Sequence, residues 1–305
     1  MKQKAPYQIL INEPSLWLDE YPQVRPSGHK YDRGHTIVLS GFAARTGAAR
    51  LAAGAALRIG SGLVTLYSPP DAVLVNAAHL TAVMIKSVKD VAALNSALTD
   101  ERISCVIAGP ALGVGENTCE FIMAILSSGK AVVLDADALT SFKSNPERLF
   151  AAIKDYGGEV VLTPHMGEFI SLFGGVATAD DQARAKMAVD AATISGATIV
   201  LKGAATLVAS NKTGLGITLL SKCITAPPWL ATAGSGDVLA GVIGGLLAQG
   251  MPAFDAASCG VWLHGEAANI CGPALISEDL EGGLQQALVK LYAEHGINGQ
   301  DFNGH

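Results

Sequence analysis

Short, uninterrupted apolar runs alternate with longer segments of mixed polarity through most of the chain. The apolar runs are Thr36-Ile37-Val38-Leu39-Ser40 and Leu63-Val64-Thr65-Leu66-Tyr67, then Ala82 to Ile85, Cys105 to Ala108, Ala131 to Leu134, Val160 to Thr163 and Thr198 to Leu201. A run of this length without polar alternation describes a strand buried on both faces. Helical patterns lie between them: an alanine-rich one from Thr46-Gly47-Ala48-Ala49 to near Gly60, then Val88 to Leu98, Asn117 to Ser127, Glu168 to Phe173 and Asp180 to Ser195. Strand and helix alternating through short connections predict an α/β fold with a mostly parallel sheet covered on both faces.

The pattern changes after residue 203. Thr206 to Ala209 and Ile217 to Leu220, separated by Ser210-Asn211-Lys212-Thr213-Gly214, predict an antiparallel hairpin at the sheet edge. Helices follow over Asp237 to Gln249, Phe254 to Cys271 and Leu280 to His295. Residues 1–35, with Pro14, Pro22, Pro26 and the patch Leu16-Trp17-Leu18, read as an arm over a single domain spanning 36–295, and residues 296–305 as a polar tail.

Composition narrows the classes. Half of the 305 residues are hydrophobic, and the net charge is −6 with no basic run, which argues against nucleic acid and anionic membrane surfaces as partners. Met1-Lys2-Gln3-Lys4 leads into Ala5-Pro6-Tyr7 rather than a signal core, and the five cysteines form no C-x-x-C pair, so a cytoplasmic protein with reduced thiols is expected.

The candidate chemistry centres on Thr232-Ala233-Gly234-Ser235-Gly236-Asp237, a polar turn running into the apolar segment Val238 to Leu247. A helix N-terminus carries unpaired N–H groups and the positive end of the macrodipole, so it accepts phosphate, and Gly234 and Gly236 let the backbone come close. Asp237 has two readings: an ordinary acidic residue in a first helical turn, or a base aimed at a hydroxyl that attacks a phosphoryl group. Gly241, Gly244 and Gly245 predict close packing of this helix on its neighbours.

Other polar groups fall at carboxyl ends of strands, where open α/β sheets bind ligands. They are the loop Gly109 to Gly115, Asp135-Ala136-Asp137, Thr163-Pro164-His165-Met166-Gly167-Glu168 and Lys202-Gly203. Asp135 and Asp137 equally suit a cap for the next helix, His165 an ordinary loop and Lys202 a solvated position. A P-loop, G-x-S-x-G and H-E-x-x-H are absent from the sequence, and Gly113-Val114-Gly115 is only a partial dinucleotide fingerprint. A phosphoryl-transfer site needs phosphate donors, usually Mg²⁺, and an acid–base group. Gly234, Ser235 and Gly236 supply donors, Asp237 the base, and Glu168 a water-mediated metal contact.

Taken together, these stretches resemble the ribokinase-like fold. Within it, Lys30-Tyr31-Asp32-Arg33-Gly34-His35, Thr46-Gly47-Ala48-Ala49, Ala56-Leu57-Arg58-Ile59-Gly60-Ser61-Gly62-Leu63-Val64, Leu134-Asp135-Ala136-Asp137-Ala138-Leu139, Thr163 to Glu168 and Leu201-Lys202-Gly203-Ala204-Ala205-Thr206 resemble the ADP/ATP-dependent NAD(P)H-hydrate dehydratases. The resemblance implies a three-layer α/β/α sandwich and a nucleotide that phosphorylates the ring hydroxyl of NADHX or NADPHX, with loss of phosphate restoring NADH or NADPH. It implies nucleotide contacts from Lys202, Gly203, Ala204, Ala205, Thr206 and Gly236, and hydrate contacts from Ala48, Gly113, His165 and Asp237, with Asp237 as base. Related vitamin-precursor kinases tend to carry asparagine in place of His165. Ser40-Gly41-Phe42 departs from the family's glycine-glycine-serine, and Ala111 from a common glycine. A separate epimerase and a homo-oligomer are further expectations. A small-molecule kinase and a non-catalytic nucleotide-binding regulator remain alternatives.

Overall fold

The computed structural model describes residues 7–23, 28–211, 218–224 and 226–297. Strand β1 (Tyr7–Ile11) comes first, then β2 (His35–Leu39), helix α1 (Gly47–Arg58), β3 (Leu63–Ser68), α2 (Val73–His79), β4 (Met84–Ser87) and α3 (Val91–Leu98). The middle holds β5 (Cys105–Ala108), α4 (Glu116–Leu126), β6 (Ala131–Leu134), α5 (Asp137–Ser141), α6 (Pro146–Tyr156), β7 (Val160–Leu162), α7 (Met166–Phe173) and α8 (Asp181–Ser195). The last third holds β8 (Thr198–Leu201), β9 (Thr206–Ser210), β10 (Thr218–Cys223), α9 (Ser235–Ala248), α10 (Ala253–Cys271) and α11 (Leu280–His295).

The strands form one sheet in the order β1-β10-β9-β8-β7-β6-β5-β2-β3-β4. All neighbours are parallel except β9, which runs antiparallel to both β8 and β10. Alternate strand residues enter opposite cores, as a sheet covered on both faces requires. In β5, Cys105 and Ile107 join α1, α9, α10 and α11, whereas Val106 and Ala108 join the layer of α3, α4 and α6 to α8.

Two expectations need correction. The antiparallel hairpin is not the sheet edge, because β1 pairs with β10 in register Tyr7↔Thr218 to Ile11↔Lys222 and takes that place. Part of the expected arm is therefore a strand, and its continuation is held down: Trp17 is buried, donates from Nε1 to Asn12 at 3.2 Å, and lies 5.7 Å from the Trp262 ring on α10. Residues 212–217, within the predicted connection and strand start, lie outside the described residues, as do Pro26 and residues 298–305 of the predicted tail.

Helix α9 is driven deep between layers by its glycines. A Cβ on Gly241 would stand 2.2 Å from the Ala52 carbonyl of α1, one on Gly244 2.5 Å from the Ile107 side chain, and one on Gly245 2.3 Å from Ile59. The missing side chains let α1 and the sheet approach the α9 backbone and fix the direction in which its N-terminus points.

Candidate active site

The parallel strands deliver their polar residues to one rim. β6 leads into Asp135, β7 through Thr163 and Pro164 to His165, and β8 into Lys202, whose N–H donates to the Pro164 carbonyl at 3.0 Å. The Lys202 ammonium donates to Asp135 Oδ1 at 2.8 Å and lies 4.0 Å from Glu168 Oε2. Asp135 is almost wholly buried and pairs with Lys202 rather than capping α5. Asp137 also serves another purpose: its Oδ2 accepts from the Gly113 N–H at 2.8 Å and shapes the loop after β5. Ala136, between the two aspartates, has φ 49°, a left-handed conformation unusual for a residue with a side chain, which the surrounding fold sustains. Ala111, in the loop after β5, has φ 61°.

The turn before α9 faces this pair. Gly234 has φ 87°; the Ser235 N–H donates back to the Thr232 carbonyl at 3.3 Å, and no side chain caps the helix, which leaves the next amides, from Gly236 on, open to an anion. A Cβ on Gly236 would stand 3.4 Å from Lys202 Nζ and 3.8 Å from Asp135 Oδ2, so the open turn, the ammonium and the aspartates share one small volume. Burial pushes the Asp237 carboxyl up to about 7, the Asp135 charge adds to this, and Lys202 opposes it. Asp237 therefore holds and releases a proton near neutrality, as a general base requires. Glu168 is also raised, first by burial, with Lys202 acting against the shift.

His165 and Glu168 lock each other across the start of α7. Glu168 Oε2 accepts from the His165 N–H at 2.8 Å, and His165 Nδ1 accepts from the Glu168 N–H at 3.1 Å. The imidazole is left mainly in solvent, at the mouth of a cavity of about 740 Å³. Lys202, Gly203, Ala204, Thr206, Ser235 and Gly236 line this cavity on its polar side, and Pro227, Pro228, Leu230, Leu239 and Val261 form an apolar wall. An apolar slot ending in amides and an ammonium suits a base at one end and phosphates at the other. Ala205, Gly234, Glu168 and Asp237 do not line it, although Asp237 directly follows the lining Gly236. Ala48 and Gly113 lie outside it too, at the first turn of α1 and in the loop after β5, with open space in front of the Gly113 Cα.

The same cavity exposes a residue not singled out from sequence. His264, on α10, is buried, hydrogen-bonds to the Ser235 backbone, and has an Nε2 without a partner. Burial lowers its pKa to about 4, so the ring is neutral, and its unpartnered nitrogen is itself buried. The signal was a lone imidazole in the otherwise apolar Val261-Trp262-Leu263-His264.

A family model described as NAD(P)H-hydrate dehydratase matches residues 36–274. The chain belongs to the NAD(P)H-hydrate dehydratase family. It is 37% identical over 250 residues to the ADP-dependent (S)-NAD(P)H-hydrate dehydratase of Neisseria meningitidis, covering 79% of this chain and 78% of the relative. It is 32% identical to the bifunctional NAD(P)H-hydrate repair enzyme of Coxiella burnetii, covering 81% of this chain and 48% of that one. This dehydratase-family chain thus spans about half the length of the bifunctional relative. Among solved structures, the ADP/ATP-dependent NAD(P)H-hydrate dehydratase of Bacillus subtilis, co-crystallised with ATP and Mg²⁺, superposes with TM-score 0.76 at 24% identity, over 92% of this chain and 98% of that one. A ribokinase-like superfamily protein of Enterococcus faecalis gives TM-score 0.75 at 22% identity, over 95% and 98%. The fold is ribokinase-like, as the family resemblance implied.

Proposed function

We propose that the protein uses ADP or ATP to dehydrate NADHX and NADPHX, returning NADH and NADPH. The observation that carries this reading is a carboxyl raised to about 7, Asp237, which directly follows the cavity-lining Ser235 and Gly236 and lies in the field of the Lys202–Asp135 pair. The donor's base occupies the apolar wall, and its phosphates reach the Gly236 amide and Lys202. The hydrate enters from the side of Ala48 and Gly113, with His165 at the rim.

Asp237 takes the proton of the ring hydroxyl as that oxygen bonds to the transferred phosphorus and the donor's bridging bond breaks. The ring nitrogen's electron pair then breaks the C–O bond of the phosphate ester and expels inorganic phosphate, and loss of a ring proton from the iminium restores the reduced nicotinamide. The described residues contain no group of three or more His, Cys, Asp or Glu able to hold a metal. They fit a magnesium ion held mainly by nucleotide phosphates, with Glu168 contributing through water, since magnesium sites of this kind need only one or two carboxylates. Such an ion supplies charge neutralisation on the phosphates. The enzyme works in the cytoplasm as a homo-oligomer, an assembly that sedimentation of the purified chain tests.

Incubation with NADHX, Mg²⁺ and ADP or ATP regenerates the near-ultraviolet band of reduced nicotinamide. A stable phosphorylated product identifies a kinase instead, and ligand-induced stabilisation without phosphate release identifies a regulator.

A further inference from the structure

The donor cavity occupies the β8–β10 side of Asp237, so the hydrate must extend the other way, over the carboxyl ends of β5, β2 and β3. A hydrated dinucleotide carries, beyond the reacting ring, a pyrophosphate and an adenine that need a place of their own. On that side lies a separate pocket of about 170 Å³, lined by Phe42, Tyr67, Lys89, Leu112, Thr118 and Phe121 among others.

We propose that this pocket receives the adenine of the hydrated dinucleotide, with Phe42 as its stacking face; the inference rests on the dehydratase reading and deepens it. Three observations support it. The pocket is continuous with the hydrate side of the site: Leu112 directly precedes Gly113, and Gly41 is pressed so closely on the loop that a Cβ there would stand 2.3 Å from the Ala111 carbonyl. Its aromatic wall carries cations. The Arg45 guanidinium lies over the Phe42 ring at 5.3 Å from the centroid, and Lys86 Nζ lies 5.7 Å from that of Tyr67. Aromatic faces with neighbouring cations are the chemistry that holds a base attached to phosphate. Finally, Phe42 is 46% exposed despite its size, with no other ring stacked on it among the described residues.

The experiment compares two hydrates, that of NADH and that of reduced nicotinamide mononucleotide, which lacks the adenosine half. Because Phe42 is half-exposed, replacing it leaves the fold intact. Phe42→Ala and Phe42→Ser raise the KM for the dinucleotide hydrate about 5- to 150-fold, the range for losing one aromatic–base stack. They leave kcat within twofold and leave the mononucleotide hydrate unaffected, while Phe42→Tyr retains the wild-type KM. An unchanged KM, or the same rise for both hydrates, overturns the inference while the dehydratase reading stands. If the wild-type protein turns over neither hydrate, the dehydratase reading fails and takes the inference with it.

Discussion

Asp237→Asn binds nucleotide within several-fold of the wild-type affinity and loses about 10²- to 10⁴-fold in kcat, the usual contribution of a positioned general base. The amide keeps the shape of the carboxyl at the start of α9 and leaves the phosphate-binding N–H groups in place, so binding and proton removal separate. The pH profile supplies an independent reading. The Asp237 carboxyl titrates at about 7 in the folded protein, so kcat/KM for the wild type rises with pH through that value and levels above it. The asparagine variant's residual rate lacks that limb. Stability moves the opposite way. A carboxyl raised by burial favours folding while protonated, and that contribution is lost as pH rises from the ordinary aspartate range through about 7. Asp237→Asn therefore melts above the wild type in mildly alkaline buffer, and this advantage shrinks on acidification. Wild-type turnover by the variant removes Asp237 as the base.

Lys202→Met has the second large effect, and it is felt twice. Methionine leaves Asp135, whose side chain is 3% exposed, without its 2.8 Å partner. Breaking a buried pair from one side costs roughly 3–5 kcal/mol, and the lower end applies because Lys202 keeps about a fifth of its side chain in contact with solvent. Denaturant midpoints measure this. The substitution also removes the cation that holds Asp237 down, so the acid limb of kcat/KM moves to higher pH. Adding Asp135→Asn recovers much of the stability because no buried charge is stranded, but it does not recover nucleotide affinity, which needs the ammonium. Recovery of both by the double variant contradicts a phosphate-binding role for Lys202.

The central strands were legible because each is apolar without interruption, and that is what two covering helix layers demand: Cys105 and Ile107 serve one core, Val106 and Ala108 the other. Helix α9 was legible for a related reason, since glycines spaced through an apolar segment have little use except close packing. The misses are local signals outvoted by pattern. Asn145-Pro146, a side-chain cap followed by proline in the first turn, announces α6, yet no helix was assigned there. Helix α2 shows no clean apolar face, with Leu74 81% exposed. Strand β1 depends on a partner far along the chain, which periodicity does not reveal. In the site, residue types at the strand ends pointed to phosphoryl transfer, but only the three-dimensional arrangement gives Asp135 to Lys202, Asp137 to Gly113, and His264 to the cavity.

The anchoring of the N-terminal segment sets an order for biosynthesis. Asn12 Nδ2 donates to the Ser258 carbonyl at 2.8 Å across 246 residues of sequence, and β1 waits for β10. A nascent chain thus keeps Trp17 and Tyr21 from docking until α10 and α11 have been translated. Through that interval these two rings remain sticky surface that a chaperone would cover.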